Sequence, residues 1–156
     1  MLLARTLGVS NATITDLVGE LMRRGLVAEG GTLRGSGRAG RPQRVIQLND
    51  DSRYSIGVHI DVGQINLALC DVRGRLRQTR SFNHALTDTA ERVLKTIAIE
   101  IEALLLADGI PHERIVGVGI GASGLVDTEQ GINVYAPNLD WHDVPMREQL
   151  RGLLGL

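Results

Sequence analysis

Between Thr89 and Ala107 the apolar residues Val93, Leu94, Ile97, Ile101, Leu104 and Leu105 recur at the three- and four-residue spacing of one helix face. Three short apolar runs precede this helix (Ser55 to Asp61, Ile65 to Cys70, Leu76 to Phe82) and one follows it, Ile115 to Ile120. Val62-Gly63-Gln64 and Asp71-Val72-Arg73-Gly74 supply turn chemistry between the first three, so the runs read as strands. The order βββαβ predicts a meander closed by a crossover helix, hence a mixed sheet with the helix on one face. With one Phe, one Trp and two Tyr, the core must be aliphatic.

The first 49 residues follow a different pattern. Leu2 to Leu7 reads as a short helix stopped at Gly8. Ser10 then caps a second helix running to about Arg24, with Ile14, Leu17, Val18, Leu21 and Met22 as its buried stripe. Helix, glycine turn, helix is the pattern of a helix-turn-helix. Leu26 to Glu29 and Val45, Ile46 and Leu48 read as the two strands of a hairpin. The intervening Gly35-Ser36-Gly37-Arg38-Ala39-Gly40-Arg41-Pro42 forms a basic, glycine-rich tip. The expected organisation is a winged helix-turn-helix over 1–49, a linker over 50–54 and a second domain over 55–156.

Charge divides along the same line. Residues 1–49 carry seven Arg against three acids, whereas 50–156 carry ten basic against fifteen acidic residues. A basic front on an acidic remainder points to double-stranded DNA as a partner of the front. Too few aromatics are present for single-strand recognition by stacking. A lone Cys70 excludes an internal disulfide and a cysteine-based zinc site, and the four His residues show no ligand spacing. No apolar run approaches the roughly 18 residues of a membrane span, and Met1 to Gly8 lacks a signal sequence's apolar stretch. The expectation is a cytoplasmic protein without a membrane partner.

Four segments carry candidate chemistry, each with a plainer competing reading. Ser10, Asn11, Ala12, Thr13 and Thr15 lie at the start of the second helix, off its apolar stripe. Asn reads adenine bidentately, and Ala or Thr meets a thymine methyl in the major groove; the competing reading is an ordinary capped, solvated helix face. Arg34, Arg38, Arg41 and Arg44 on the hairpin suit phosphates and a narrow minor groove, or else form a polar loop. Asp61-Val62-Gly63-Gln64 leads from strand to strand, which excludes a dinucleotide-binding βα turn. It suits a phosphate-cradling hairpin or a turn that merely needs glycine. Gly117 to Asp127, followed by Tyr135-Ala136-Pro137-Asn138-Leu139-Asp140-Trp141, offers close backbone approach and an amide for hydroxyl groups. A tight connection with Trp141 filling a core gap explains the same residues.

Taken together, the helix-turn-helix, the Gly40-Arg41-Pro42 wing, Gly57 to Gly63, Gly117 to Asp127 and Ala136-Pro137-Asn138-Leu139 with Trp141 resemble the ROK family of repressors, open reading frames and sugar kinases. The likeness is to its repressor branch, similar to the xylose and N-acetylglucosamine repressors, and covers nearly the whole chain. It implies an α+β/α/β chain, a winged helix-turn-helix followed by the first half of an actin-like (RNase H-like) sugar-kinase fold. It also implies a sugar or sugar-derivative effector, or in some members a partner protein, and a homo-oligomer of two or four chains. By resemblance, Gly124 and Asn138 fall in sugar-contacting segments, and Asp61 and Gly63 in a vestigial phosphate loop. Kinases of the family favour a small residue and Thr after Asp-x-Gly, where this chain has Gln64, Ile65 and Asn66.

The family's catalytic Asp, its zinc segment and its second ATP-binding half are expected beyond Leu156, and a further helix before Leu2. The sequence therefore reads as a fragment, a misplaced start or a truncated product, with no cofactor of its own and no enzymatic activity. A sugar-responsive repressor is the leading expectation. An ATP-dependent sugar kinase with an appended winged helix, and a dimerisation fragment that does not bind DNA, are the alternatives.

Overall fold

The computed structural model describes residues 2–33 and 43–155. These fall into two compact units, one ending at Arg53 and one beginning at Tyr54. Tyr54, read from the sequence as the end of the linker, is buried as the first residue of a strand.

In the first unit, α1 (Leu2–Leu7) ends at Gly8, whose φ of +67° suits a residue without Cβ. Ser10 caps α2 (Asn11–Arg23), its hydroxyl accepting from the Thr13 amide at 3.1 Å. At the other end Gly25 adopts φ +68°, and the amides of Gly25 and Leu26 donate back to Met22 and Leu21, which closes the helix. The chain then forms β1 (Val27–Leu33) and β2 (Gln43–Leu48), an antiparallel pair longer than the sequence suggests, with a bulge between Glu29 and Thr32. Gly30 and Gly31 make that bulge: a Cβ on Gly30 would meet Gln47 at 2.4 Å, and Gly31 has φ +108°. Asn49 ties off the hairpin base, its side-chain amide donating to the Gly25 carbonyl at 2.9 Å.

The stripe expected on α2 is only partly covered. Ile14 is buried and Val18 and Met22 are half-buried, but Leu17 and Leu21 remain 53% and 38% exposed. Helical spacing assigns the five to one face, but a unit of two helices and one hairpin is too small to cover all of it.

The second unit is built on β3 (Tyr54–Asp61), β4 (Gln64–Asp71), β5 (Leu76–Asn83), α3 (Ala90–Ala107) and β6 (Ile115–Ala122), with sheet order β5-β4-β3-β6. The first three strands form the expected meander, and β6 returns parallel to β3 after the α3 crossover. Alternation places Ile56, Val58, Ile60, Ile65, Leu67 and Leu69 on one face, where they share a core with the buried stripe Val93, Leu94, Ile97, Ile101, Leu104 and Leu105 of α3. The other face carries Gly57, His59, Asn66, Ala68 and the strand glycines of β6.

Three short strands, β7 (Leu125–Asp127), β8 (Ile132–Ala136) and β9 (Trp141–Val144), form a separate antiparallel sheet, and α4 (Met146–Leu154) packs on α3. Arg147 of α4 holds the β7–β8 turn by donating to the carbonyls of Thr128 and Glu129 at 2.6 and 2.7 Å. Among the described residues no helix is long and apolar enough to cross a membrane.

Two expectations test this packing. Ile101 is fully buried, so Ile101→Ala should lower unfolding free energy by about 2–5 kcal/mol in urea denaturation. The second concerns Asp71, whose buried carboxylate closes the β4–β5 turn by accepting from the amides of Arg73 and Arg75 at 2.9 and 3.0 Å and from the Arg75 guanidinium at 2.9 Å. Burial pushes this carboxyl up, but the Arg75 and Arg73 hydrogen bonds together hold it below the ordinary 3.8. A depressed pKa contributes stability that is present above 3.8 and lost as pH falls through the lower folded value. Acid titration of unfolding should show that loss in the parent and a flatter profile in Asp71→Asn.

Candidate functional site

The parallel pairing of β3 with β6 sets Ile60 opposite Ala122, so the residues that follow, Asp61 and Ser123, emerge side by side at the carboxyl ends of both strands. In open α/β sheets that edge is where ligands bind. The Ser123 amide donates to the Ile60 carbonyl at 3.0 Å, and its hydroxyl donates to Asp61 Oδ1 at 3.1 Å. Asp61 Oδ1 also accepts from the Val62 amide at 2.7 Å. These two hydrogen bonds, the backbone one foremost, hold the Asp61 carboxyl below its ordinary value, with a smaller contribution from the nearby His59.

Gly63 completes the β3–β4 turn at φ +76°. Its carbonyl accepts from the His84 amide at 3.2 Å, and the His84 ring lies between the carbonyls of Asp61 (2.9 Å) and Ala85 (3.2 Å). His84, one of the four His residues without ligand spacing, braces this loop. Gln64 is exposed and is already the first residue of β4, paired with Asp61.

Gly124 follows Ser123 with φ +109°, and a Cβ there would meet the Tyr135 carbonyl at 2.5 Å and the Ala136 Cβ at 2.7 Å. Only glycine fits. The close approach seats the turn on the end of β8, two residues before exposed Asn138 in the 3-10 turn Pro137–Leu139. The structure thus brings Asp61, Gly63, Gly124 and the Asn138 segment into one chain of contacts through Ser123 and Ala136.

The other glycines of the run behave differently. Gly117, Gly119 and Gly121 are interior to β6 and pair with Ser55, Gly57 and His59. No atom lies within 4 Å of a Cβ placed on Gly117 or Gly119, and a Cβ on Gly121 would come within 3.3 Å of His59 Nδ1, whereas Gly124 has both a positive φ and a backbone overlap. Trp141 is buried in the core behind the loop. A cleft of about 380 Å³ opens beside it, lined by Leu86, Thr87, Thr89, Asp140 and His142 among others.

Sequence reasoning missed Asn133. Fully buried on β8, it donates from Nδ2 to the Ser123 carbonyl at 3.0 Å. It belongs to no motif, and only the pairing of β7, β8 and β9 places it under the turn.

In the first unit Asn11, Ala12, Thr13 and Thr15 are all exposed along the start of α2. Their hydroxyls are engaged locally: Ser10 Oγ and Thr13 Oγ1 are 2.9 Å apart, and Thr15 donates to the Asn11 carbonyl at 2.9 Å. Asn11 and Ala12 are left with outward-facing groups that no helix contact uses. Arg44 pairs with Glu29 across the hairpin at 2.6 Å. Arg34, Arg38 and Arg41 lie outside the described residues. Among the described residues no three His, Cys, Asp or Glu side chains come together to hold a metal ion.

Comparison with known proteins gives a consistent pattern. A family profile described as ROK family matches residues 55–156. A putative xylose repressor of Caldicellulosiruptor sp. (strain Rt8B.4) is 29% identical over 154 residues, 99% of this chain and 38% of the relative. The chain therefore spans about 38% of that relative's length. A crystal structure of a ROK family transcriptional regulator, a homologue of the E. coli MLC protein, superposes with a TM-score of 0.71 at 21% identity, over 99% of this chain and 38% of that one. A ROK family glucokinase from Streptomyces griseus, in complex with glucose and AMPPNP, matches at 30% identity and TM-score 0.52 over 66% of this chain and 31% of its own.

The glycine geometry yields a paired test. Gly124→Ala should cost at least about 1–3 kcal/mol in chemical denaturation, from positive φ and the Tyr135 contact. Gly117→Ala, with open space and an ordinary strand conformation, should stay within about 0.5 kcal/mol of the parent.

Proposed function

This chain belongs to the ROK family, and from that membership we propose that it carries the operator-binding and effector-sensing part of a sugar-responsive transcriptional repressor. One observation carries the reading: the matched repressor and the regulator structure extend over 99% of the chain, whereas the matched glucokinase covers 66%. What separates the two kinds of relative is the basic front unit.

In this reading residues 1–49 are a winged helix-turn-helix that binds double-stranded DNA. With Ser10 as cap, α2 enters the major groove, Asn11 reads a base edge, and Ala12, Thr13 and Thr15 supply methyl contacts. Thr13 and Thr15 act through methyl groups because their hydroxyls are held within the helix. Arg34, Arg38 and Arg41 meet phosphates or the minor groove beside the hairpin. The domain over 55–156 senses a sugar or sugar derivative through Gly124 and Asn138, and the Asp61–Gly63 loop is a remnant of a phosphate loop. The whole protein works as a cytoplasmic homo-oligomer and is not an enzyme.

The kinase reading has its own support, since the glucokinase matches at 30% identity over 66% of this chain. Against it stand Gln64 and Ile65, where kinases of the family place a small residue and then Thr. The two readings separate experimentally. Fluorescence anisotropy with duplex DNA should show salt-sensitive binding, and Arg38→Ala with Arg41→Ala should weaken all duplexes alike and lower the salt slope by about two. Absence of binding at low salt would remove DNA recognition from the reading, and transfer of phosphate from ATP to glucose would replace it with the kinase.

A further inference from the structure

A buried amide in the middle of a small sheet has a cost. Asn133 is 0% exposed, and its Oδ1 has no partner among the described residues. Leucine or valine would occupy the place without burying an unpaired amide oxygen, so what asparagine adds there is its Nδ2 donor. Its Nδ2 donates to the Ser123 carbonyl at 3.0 Å.

That carbonyl is the hinge of the site. Ser123 is held by its amide to Ile60 at the end of β3 and by its hydroxyl to Asp61, and its carbonyl forms the peptide that enters Gly124. A trans peptide directs the carbonyl oxygen and the next N–H to opposite sides. Anchoring the Ser123 oxygen on Asn133 therefore directs the Gly124 N–H away from the β7–β9 sheet. On its inward side Gly124 has no room even for a Cβ, which would meet the Tyr135 carbonyl at 2.5 Å and the Ala136 Cβ at 2.7 Å, so the turn cannot shift that way.

We propose that Asn133 is a positioning residue: by fixing the Ser123 carbonyl it aims the Gly124 N–H at a sugar hydroxyl and presents the Ser123 hydroxyl to Asp61. The effector turn and the Asp61–Gly63 loop then move as one body. The sugar part rests on the proposed function; the coupling of Asn133 to Asp61 does not.

The test uses the full chain with Asn133→Leu, Ser123→Ala and the double variant. The carboxyl of Asp61 is titrated by 13C NMR, and D-glucose and D-xylose are titrated by calorimetry. Ser123→Ala removes a donor from Asp61 and should move its titration upward. Asn133→Leu should move it the same way, and the double variant no further than Ser123→Ala alone. Whichever sugar binds should bind about two- to tenfold more weakly to Asn133→Leu. An unchanged Asp61 titration in a folded Asn133→Leu protein overturns the inference, whatever the sugars do. If the parent binds neither sugar, the effector reading fails while the Asp61 titration still decides the role of Asn133. Asn133→Val provides a second shape for the same test. Loss of folding in both would make Asn133 a core residue and also overturn the inference.

Discussion

The docking of α3 on one face of the β5-β4-β3-β6 sheet is the interaction on which the second unit depends. Six fully or almost fully buried aliphatic residues of the helix meet six from β3 and β4, and few aromatics are available to replace them. At roughly 1.5–3 kcal/mol for each large buried aliphatic side chain, this seam is the main stabilising contribution of the unit. It also fixes topology. β6 can pair parallel to β3 only because the crossover is long enough to return the chain to the same edge, and α3 fills that length. Once the parallel register is set, Asp61 and Ser123 stand side by side, and a hydroxyl-carboxylate contact 62 positions apart in sequence becomes local.

Around that seam the turns are made by side chains that satisfy backbone donors. Asp71 closes the β4–β5 turn and Asp127 the β7–β8 turn, where its carboxylate accepts from the amides of Glu129 and Gln130 at 2.9 Å. Thr89 and Ser10 do the same at the starts of α3 and α2. A polar residue's availability for a ligand is therefore decided by whether its own turn already engages it. Asn11, with its helix neighbours locally satisfied, and Asn138, exposed on its 3-10 turn, are available. Asp127 and the Thr15 hydroxyl are committed to the fold.

The first unit is governed by a different balance. Its helix ends and bulge are specified locally by Ser10, Gly25, Gly30 and Gly31, whereas its apolar stripe is only partly enclosed. Local hydrogen bonding fixes shape in such a small unit more firmly than burial does, because there is little surface to remove from water.

Read linearly, the sequence carries the elements whose signals are local: the α3 stripe, the capped α2 with its glycine stop, and the meander followed by a crossover helix and a further strand. Periodicity and capping depend on neighbours within a few positions, so one chain read linearly carries them. The α4 stripe Met146, Leu150 and Leu154 is present in the spacing too, but over only nine residues, too short a run for periodicity alone to mark a helix. Tertiary structure alone decided which predicted site residues meet. It gathered Asp61, Gly124 and the Asn138 segment at one edge, left Gly117 and Gly119 as strand interior, left Leu17 and Leu21 uncovered, and placed Asn133 beneath Ser123. Those outcomes depend on strand register and on which surfaces a neighbour covers, and both arise from pairings between residues too far apart for any local pattern to encode.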